Sequence, residues 1–169
     1  RQFFLDQRDN RQYLGSWSQN KKVLNLFSYT GGFSLYALGG GAQSVTSVDR
    51  SQEALDLCEE NLLLNDIDPS RHQGLREDIF SWLAECQETW NLIVVDPPSL
   101  THSEKTKDQA IEAYIQLFKL SLKRLEKGGH IFFSSCSSHI GFEDFFDIIN
   151  QALSQSRCKG KILRVSGQG

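Results

Sequence analysis

The sequence predicts an α/β fold: a doubly wound, mostly parallel sheet with helices on both faces. Apolar runs of strand length alternate with longer segments of helical period along the chain, the order that parallel crossover units require. Glycines cluster at the joints, at Gly31-Gly32, Gly39-Gly40-Gly41 and Gly128-Gly129, where strands turn into helices and helices stop. Three of the strand-like runs end in chemically distinctive residues: a glycine turn, an Asp-Pro-Pro, and a cysteine flanked by serines. In a parallel sheet those three share the carboxyl edge, where open α/β sheets bind ligands.

Taken in order, residues 1–20 are polar and are expected to cover the first strand. That strand is Lys22-Val23-Leu24-Asn25-Leu26-Phe27. Ser28-Tyr29-Thr30-Gly31-Gly32-Phe33 follows as a turn, and residues 33–38 form a short helix closed by three glycines. Residues 44–49 alternate with period two and make the second strand. Ser51 is a candidate N-cap, behind which Ala54, Leu55, Leu57, Cys58, Asn61 and Leu62 lie on one helical stripe. The third strand, near Gln73-Gly74-Leu75-Arg76, is weakly coded. A helix over 79–84 precedes the fourth strand, 92–95, which ends in Asp96-Pro97-Pro98. Residues 109–125 read as a helix with Ala110, Ala113, Tyr114, Leu117, Leu120 and Ser121 inward, stopped by Gly128-Gly129. The fifth strand, 130–134, runs into Ser135-Cys136-Ser137-Ser138. A helix over 142–154 and a sixth strand over 161–165 complete the pattern.

A length of 169 residues suits one domain, residues 1–169, able to bury a sizeable core. With 39% hydrophobic and 23% charged residues the composition excludes a disordered chain. The net charge of −3 provides little of the electrostatic footprint that gives nucleic-acid affinity. Lys105, Lys107, Lys119 and Lys123-Arg124 read as solvated helix faces. Cys58, Cys86, Cys136 and Cys158 include no CxxC pair, and none joins a His at metal-ligand spacing, so no metal is expected. With no signal peptide or spanning segment visible, free thiols and a cytoplasmic location are expected, and no membrane partner.

The candidate site residues each have a plainer reading beside the functional one. Gly31 and Gly32 let the backbone pass close to a ligand, though the turn is not a GxGxxG dinucleotide fingerprint. Asp49, ending the next strand, is placed to accept both hydroxyls of a ribose, or merely to start the following helix. Asp78 is placed either to cap the helix at Ile79 or to accept from an exocyclic adenine amine. Pro97 and Pro98 remove two donors and stiffen the loop holding Asp96, which suits docking a flat base. Cys136 leaves its strand among hydroxyl residues, the polar setting of a reactive thiolate. His139 reads as a base or as a surface histidine.

Together these residues resemble the class I S-adenosylmethionine-dependent methyltransferases. More narrowly, they resemble the bacterial 23S ribosomal RNA 5-methylcytosine methyltransferases that carry an N-terminal PUA domain. The matching stretches are Phe4-Leu5-Asp6-Gln7-Arg8, residues 23–33, residues 48–55, Asp96-Pro97-Pro98 and Ser135-Cys136-Ser137. The resemblance implies a Rossmann-like fold that binds S-adenosylmethionine. Asn25, Ser28, Tyr29, Thr30, Gly31 and Phe33 would surround the methionine end. Asp49 would hold the ribose, Asp78 the adenine, and Asp96 the cofactor and target base together. Pro97 and Pro98 would contact substrate, and Cys136 would be the nucleophile. The family continues Asp-Pro-Pro with Lys or Thr and then Phe, whereas Ser99-Leu100 stand here.

The same resemblance implies that the PUA domain and the last strand are absent, so that the chain is expected to be a fragment that binds ribosomal RNA weakly by itself. The fifth strand is then expected to have an open edge, closed by direct pairing with the sixth or by self-association. Thiolate addition at carbon 6 of cytosine makes carbon 5 nucleophilic enough to take a methyl group. Two other function classes stay open: a methyltransferase acting on another nucleobase atom or a small molecule with Cys136 as spectator, and a cofactor-binding domain inactive alone.

Overall fold

A computed structural model describes residues 2–3, 7–100, 106–133, 140–159 and 164–165. The elements run β1 (Gln2–Phe3), α1 (Gln7–Ser16), β2 (Lys22–Leu26), α2 (Gly32–Gly39), β3 (Ser44–Asp49), α3 (Gln52–Leu64), β4 (His72–Arg76) and α4 (Ile79–Glu85). They continue with β5 (Trp90–Val95), α5 (Lys107–Lys123), β6 (Leu125–Phe133), α6 (Phe142–Gln155) and β7 (Arg164–Val165). All the strands lie in one sheet in the order β4-β3-β2-β5-β6-β1-β7, and every pairing is parallel.

Successive strand residues face opposite layers, and the two cores follow from that alternation. Leu24, Leu26, Ile93, Val95, Ile131 and Phe133 face α4, α5 and α6. On that side Phe133 packs its ring against Phe145 at 5.1 Å and Phe118 at 5.4 Å. Val23, Val45, Leu92, Val94 and Phe132 face Leu14 of α1, Ala37 and Leu38 of α2, and Leu62 of α3. The doubly wound arrangement read from the sequence is therefore the arrangement seen.

The winding direction reverses between β2 and β5, with β3 and β4 on one side of β2 and β5 and β6 on the other. Leu26 pairs with both Val48 and Val95, and Val95 pairs with Phe133. β2, β3, β5 and β6 thus end at one level, beside the switch point where such sheets bind ligands.

Several expectations need correction. Gly128 and Gly129 do not stop the preceding helix. α5 ends at Lys123 with Arg124 as its cap, and β6 begins at once and runs through both glycines. Gly128 has φ +79, which glycine tolerates, and the β5–β6 register shifts beside Trp90 and Leu92, so the pair marks an irregular strand. In α3 the buried stripe is Leu55, Cys58 and Leu62, and Leu57 is exposed.

The N-terminal segment is more than a cover. α1 packs on α2, and β1 enters the sheet. Gln2 and Phe3 pair with Phe132 and Phe133 on one side and with Arg164 and Val165 on the other. At Phe132 and Phe133 the edge of β6 is therefore not open, and β7 does not pair with it directly. A two-residue strand satisfies those backbone groups, and two residues carry no period by which a sequence reading could find them.

Candidate functional site

The site is built where β2 ends. Phe27, Tyr29 and Gly31 all adopt left-handed backbone, with φ 58, 49 and 85. Side chains are strained there, so the turn is held from several directions. Ser28 donates its N–H to the Val48 carbonyl at 3.2 Å, and Gly31 donates to the Ser28 carbonyl at 2.9 Å. Asn61 Nδ2 donates to the Thr30 carbonyl at 3.3 Å. Gly31 is required for packing as well as for φ, since a Cβ there would lie 2.1 Å from Cys58 Sγ. Burial pushes the Cys58 thiol up to about 11, with the Glu59 charge adding to it, so this sulfur stays protonated and inert.

The glycine turn and Asp49 are joined. The Asp49 carboxylate is buried; Oδ2 accepts the Tyr29 N–H at 3.0 Å and Oδ1 accepts the Ser51 N–H at 2.9 Å. Ser51, not Asp49, caps α3, accepting from the Ala54 N–H at 3.1 Å. Two acceptors bonded by N–H groups keep further lone-pair capacity on each oxygen, so a ligand hydroxyl can still donate to Asp49.

Beneath the turn lies a chain of buried polar groups. Asn25 is 1% exposed, and its Nδ2 donates to Ser34 Oγ at 2.9 Å. Ser34 Oγ is 2.6 Å from Ser47 Oγ, which is 2.7 Å from His72 Nε2; His72 Nδ1 lies 2.5 Å from Glu59. Asn25 Oδ1 and Ser28 Oγ are buried with no partner among the described residues. Buried polar atoms are almost always satisfied, and the Asn25 carbonyl oxygen and the Ser28 hydroxyl, both near the end of β2, are available to a polar ligand.

Asp78 is exposed and caps α4, with Oδ1 accepting the Ser81 N–H at 3.1 Å. That bond holds its carboxyl below the usual range. Asp96 and Pro97 are buried and Pro98 is exposed at the end of β5. Thr30 and Tyr29 are exposed on the turn. Phe33 lies under the Arg11 guanidinium, whose Cζ is 5.6 Å from the ring centroid. Cys136 and His139 lie outside the described residues.

Sequence reading missed two groups of residues. Arg11 comes from α1 and sits against Gly32, where a Cβ would be 2.6 Å from Cζ. The Ser34–Ser47–His72–Glu59 chain draws on four elements. Its one local signal is Ser47, a small polar residue at a buried strand position. A groove of about 900 Å³ lies elsewhere, lined by residues of α1 and α2 including Gln12 and Tyr36, by Gly40 just beyond α2, and by Asn65. None of the predicted site residues lines it.

A family model described as S-adenosylmethionine-dependent methyltransferase matches residues 1–149. The chain is 41% identical over 157 residues to a ribosomal RNA large subunit methyltransferase of Deinococcus radiodurans, covering 91% of this chain and 38% of that protein. It is 40% identical over 169 residues to ribosomal RNA large subunit methyltransferase I of Aeromonas salmonicida, covering 98% of this chain and 43% of the relative. Among solved structures, SMU.776, assigned as a methyltransferase and complexed with SAH, aligns with TM-score 0.76 at 30% identity, over 94% of this chain and 41% of that one. The chain spans about two-fifths of the length of the curated relatives it matches.

Proposed function

The chain belongs to the S-adenosylmethionine-dependent methyltransferase family, and on that footing we propose that it methylates carbon 5 of a cytosine in large-subunit ribosomal RNA, with Cys136 as the attacking nucleophile. The RNA class rests on the names of relatives that are longer than this chain.

The residues present fit the cofactor. The methionine end carries an ammonium, which donates, and a carboxylate, which accepts; Asn25 Oδ1 could accept from the first and the Ser28 hydroxyl could serve either, and both are buried without partners among the described residues. Ser28, Tyr29, Thr30, Gly31 and Phe33 would surround that end. Asp49, whose carboxylate is fixed by the Tyr29 and Ser51 N–H groups, would accept from the ribose hydroxyls. Asp78 would accept from the adenine amine with the capacity left beside its bond to Ser81. S-adenosylmethionine supplies an electrophilic methyl group on a sulfonium.

The chain's own residues would then prepare the base. The target cytosine has to be unstacked to enter, and Pro97 and Pro98 form a stiff platform for it. The Cys136 thiolate adds to carbon 6, which leaves carbon 5 with the electron density to take the methyl. Asp96 steadies the charge that builds on the ring, by orienting a donor or giving a proton near N3. Loss of the carbon 5 proton to water or a base restores the ring and expels Cys136.

The observation that supports the cytosine reading best is a register. Val95 pairs with Phe133 at the ends of neighbouring parallel strands. Asp96 follows the first by one residue and Cys136 follows the second by three. The test is RNA carrying 5-fluorocytidine, whose fluorine blocks the final proton loss. A cofactor-dependent covalent adduct is expected with wild-type protein and none with Cys136→Ser. Methylation at carbon 5 without an adduct, or by Cys136→Ser at the normal rate, removes nucleophilic catalysis from the account.

A further inference from the structure

The buried chain from Asn25 to Glu59 crosses three strands, and its direction is set from the far end. An ionised Glu59 carboxylate only accepts, so His72 Nδ1 carries the hydrogen at 2.5 Å. In the tautomer with its hydrogen on Nδ1, the ring offers Nε2 as an acceptor. The Ser47 hydroxyl, at 2.7 Å, donates to its one lone pair, and the Cys58 sulfur lies farther off at 3.8 Å. With its hydrogen committed to His72, Ser47 Oγ accepts from Ser34 at 2.6 Å, and Ser34 Oγ accepts from Asn25 Nδ2 at 2.9 Å. The Asn25 amide is left with one orientation, and its oxygen is the end without a partner among the described residues.

We propose that His72 is a positioning residue for the methionine end of the cofactor: acting through Ser47 and Ser34, it fixes the Asn25 amide so that Oδ1 meets the α-ammonium. The proposal rests on the cofactor placement argued above. The His72 side chain is fully buried, and β3 with its helix separates it from β2, so it acts without touching the ligand. The direction of the chain decides the outcome. Reversed, it would present the Asn25 amide NH₂ to an ammonium, donor against donor. Removing the acceptor at position 72 releases Ser47 and Ser34 to rotate, and the amide is free to flip.

The experiment compares two ligands by calorimetry on the 169-residue chain. S-adenosylhomocysteine carries the amino-acid end, and 5′-methylthioadenosine lacks it. His72→Leu is expected to weaken S-adenosylhomocysteine about tenfold, the loss of roughly one buried hydrogen bond, while 5′-methylthioadenosine binds unchanged. Ser47→Ala gives the same selective loss, and the double variant loses no more than either single one. His72→Gln keeps an acceptor for Ser47 and retains most of the affinity. Equal losses for both ligands, or full S-adenosylhomocysteine affinity in His72→Leu and Ser47→Ala, overturn the positioning role. Wild-type protein that takes up neither ligand overturns the cofactor placement itself, and the relay with it.

Discussion

Gly31 meets two independent demands at once, a φ of +85 and a contact surface that leaves no room for a Cβ beside Cys58. Either alone would favour glycine; together they separate strain from crowding. Gly31→Ala is expected to destabilise the protein by about 1–3 kcal/mol through overpacking, with the left-handed backbone adding to it. Cys58→Ala in the same chain removes the sulfur and should return part of that loss, while the φ penalty stays. Urea unfolding of the two single variants and the double measures it; strictly additive losses would show that the sulfur contact is not the cause. Gly31, Asp49 and Ser51 were legible in the sequence because each stands where a strand-like run gives way to a helical one. His72 was not: its partners sit on β3 and α3, 25 and 13 residues away, and nothing local distinguishes it from a surface histidine.

The helices and strands owe their boundaries to local chemistry of the same kind. Asp78 begins α4 by accepting the Ser81 N–H, and that bond lowers its carboxyl. Asp68 is lowered by the Ser70 N–H, and Asp144 chiefly by its hydrogen bond to Lys107. A carboxylate whose folded value is depressed adds stability above its unfolded range, near pH 4, and loses it as the pH falls through the folded value. Unfolding midpoints are therefore expected to drop below about pH 4. Asp78→Ala should cost about 0.5–2 kcal/mol at neutral pH and flatten the acid decline; an unchanged midpoint and an unchanged slope would contradict the cap. The capping residues Ser51 and Asp78 could be read ahead because they precede a clear apolar period. Gly128-Gly129 misled because glycine punctuates helix ends and irregular strands alike, and only the pairing with β5 tells them apart. Leu57 misled because a helix lying on one sheet face buries a stripe narrower than the apolar residues available to it.

At the scale of the molecule, one parallel sheet with a switch point between β2 and β5 explains why residues from distant parts of the chain meet. Asn25, Asp49 and Asp96 are separated in sequence by a helix each or more, yet their strands end level because Leu26, Val48 and Val95 share a register. The alternation of runs made this edge legible in the sequence. The insertion of β1 beside β6 was not legible, since a parallel strand of two residues has neither periodicity nor turn chemistry to announce it. No helix among the described residues is long and apolar enough to cross a membrane. The net charge of −3 provides little general attraction for a nucleic acid, so the RNA substrate proposed above would have to be held by local contacts. The account turns on the carboxyl edge at the switch point being the cofactor site, and a crystal structure with S-adenosylhomocysteine tests that most directly. The ribose hydroxyls are predicted within hydrogen-bond distance of the Asp49 carboxylate, with the ammonium at Asn25 Oδ1. Ligand bound in the α1–α2 groove beside Gln12 and Tyr36, with Asp49 untouched, would contradict it.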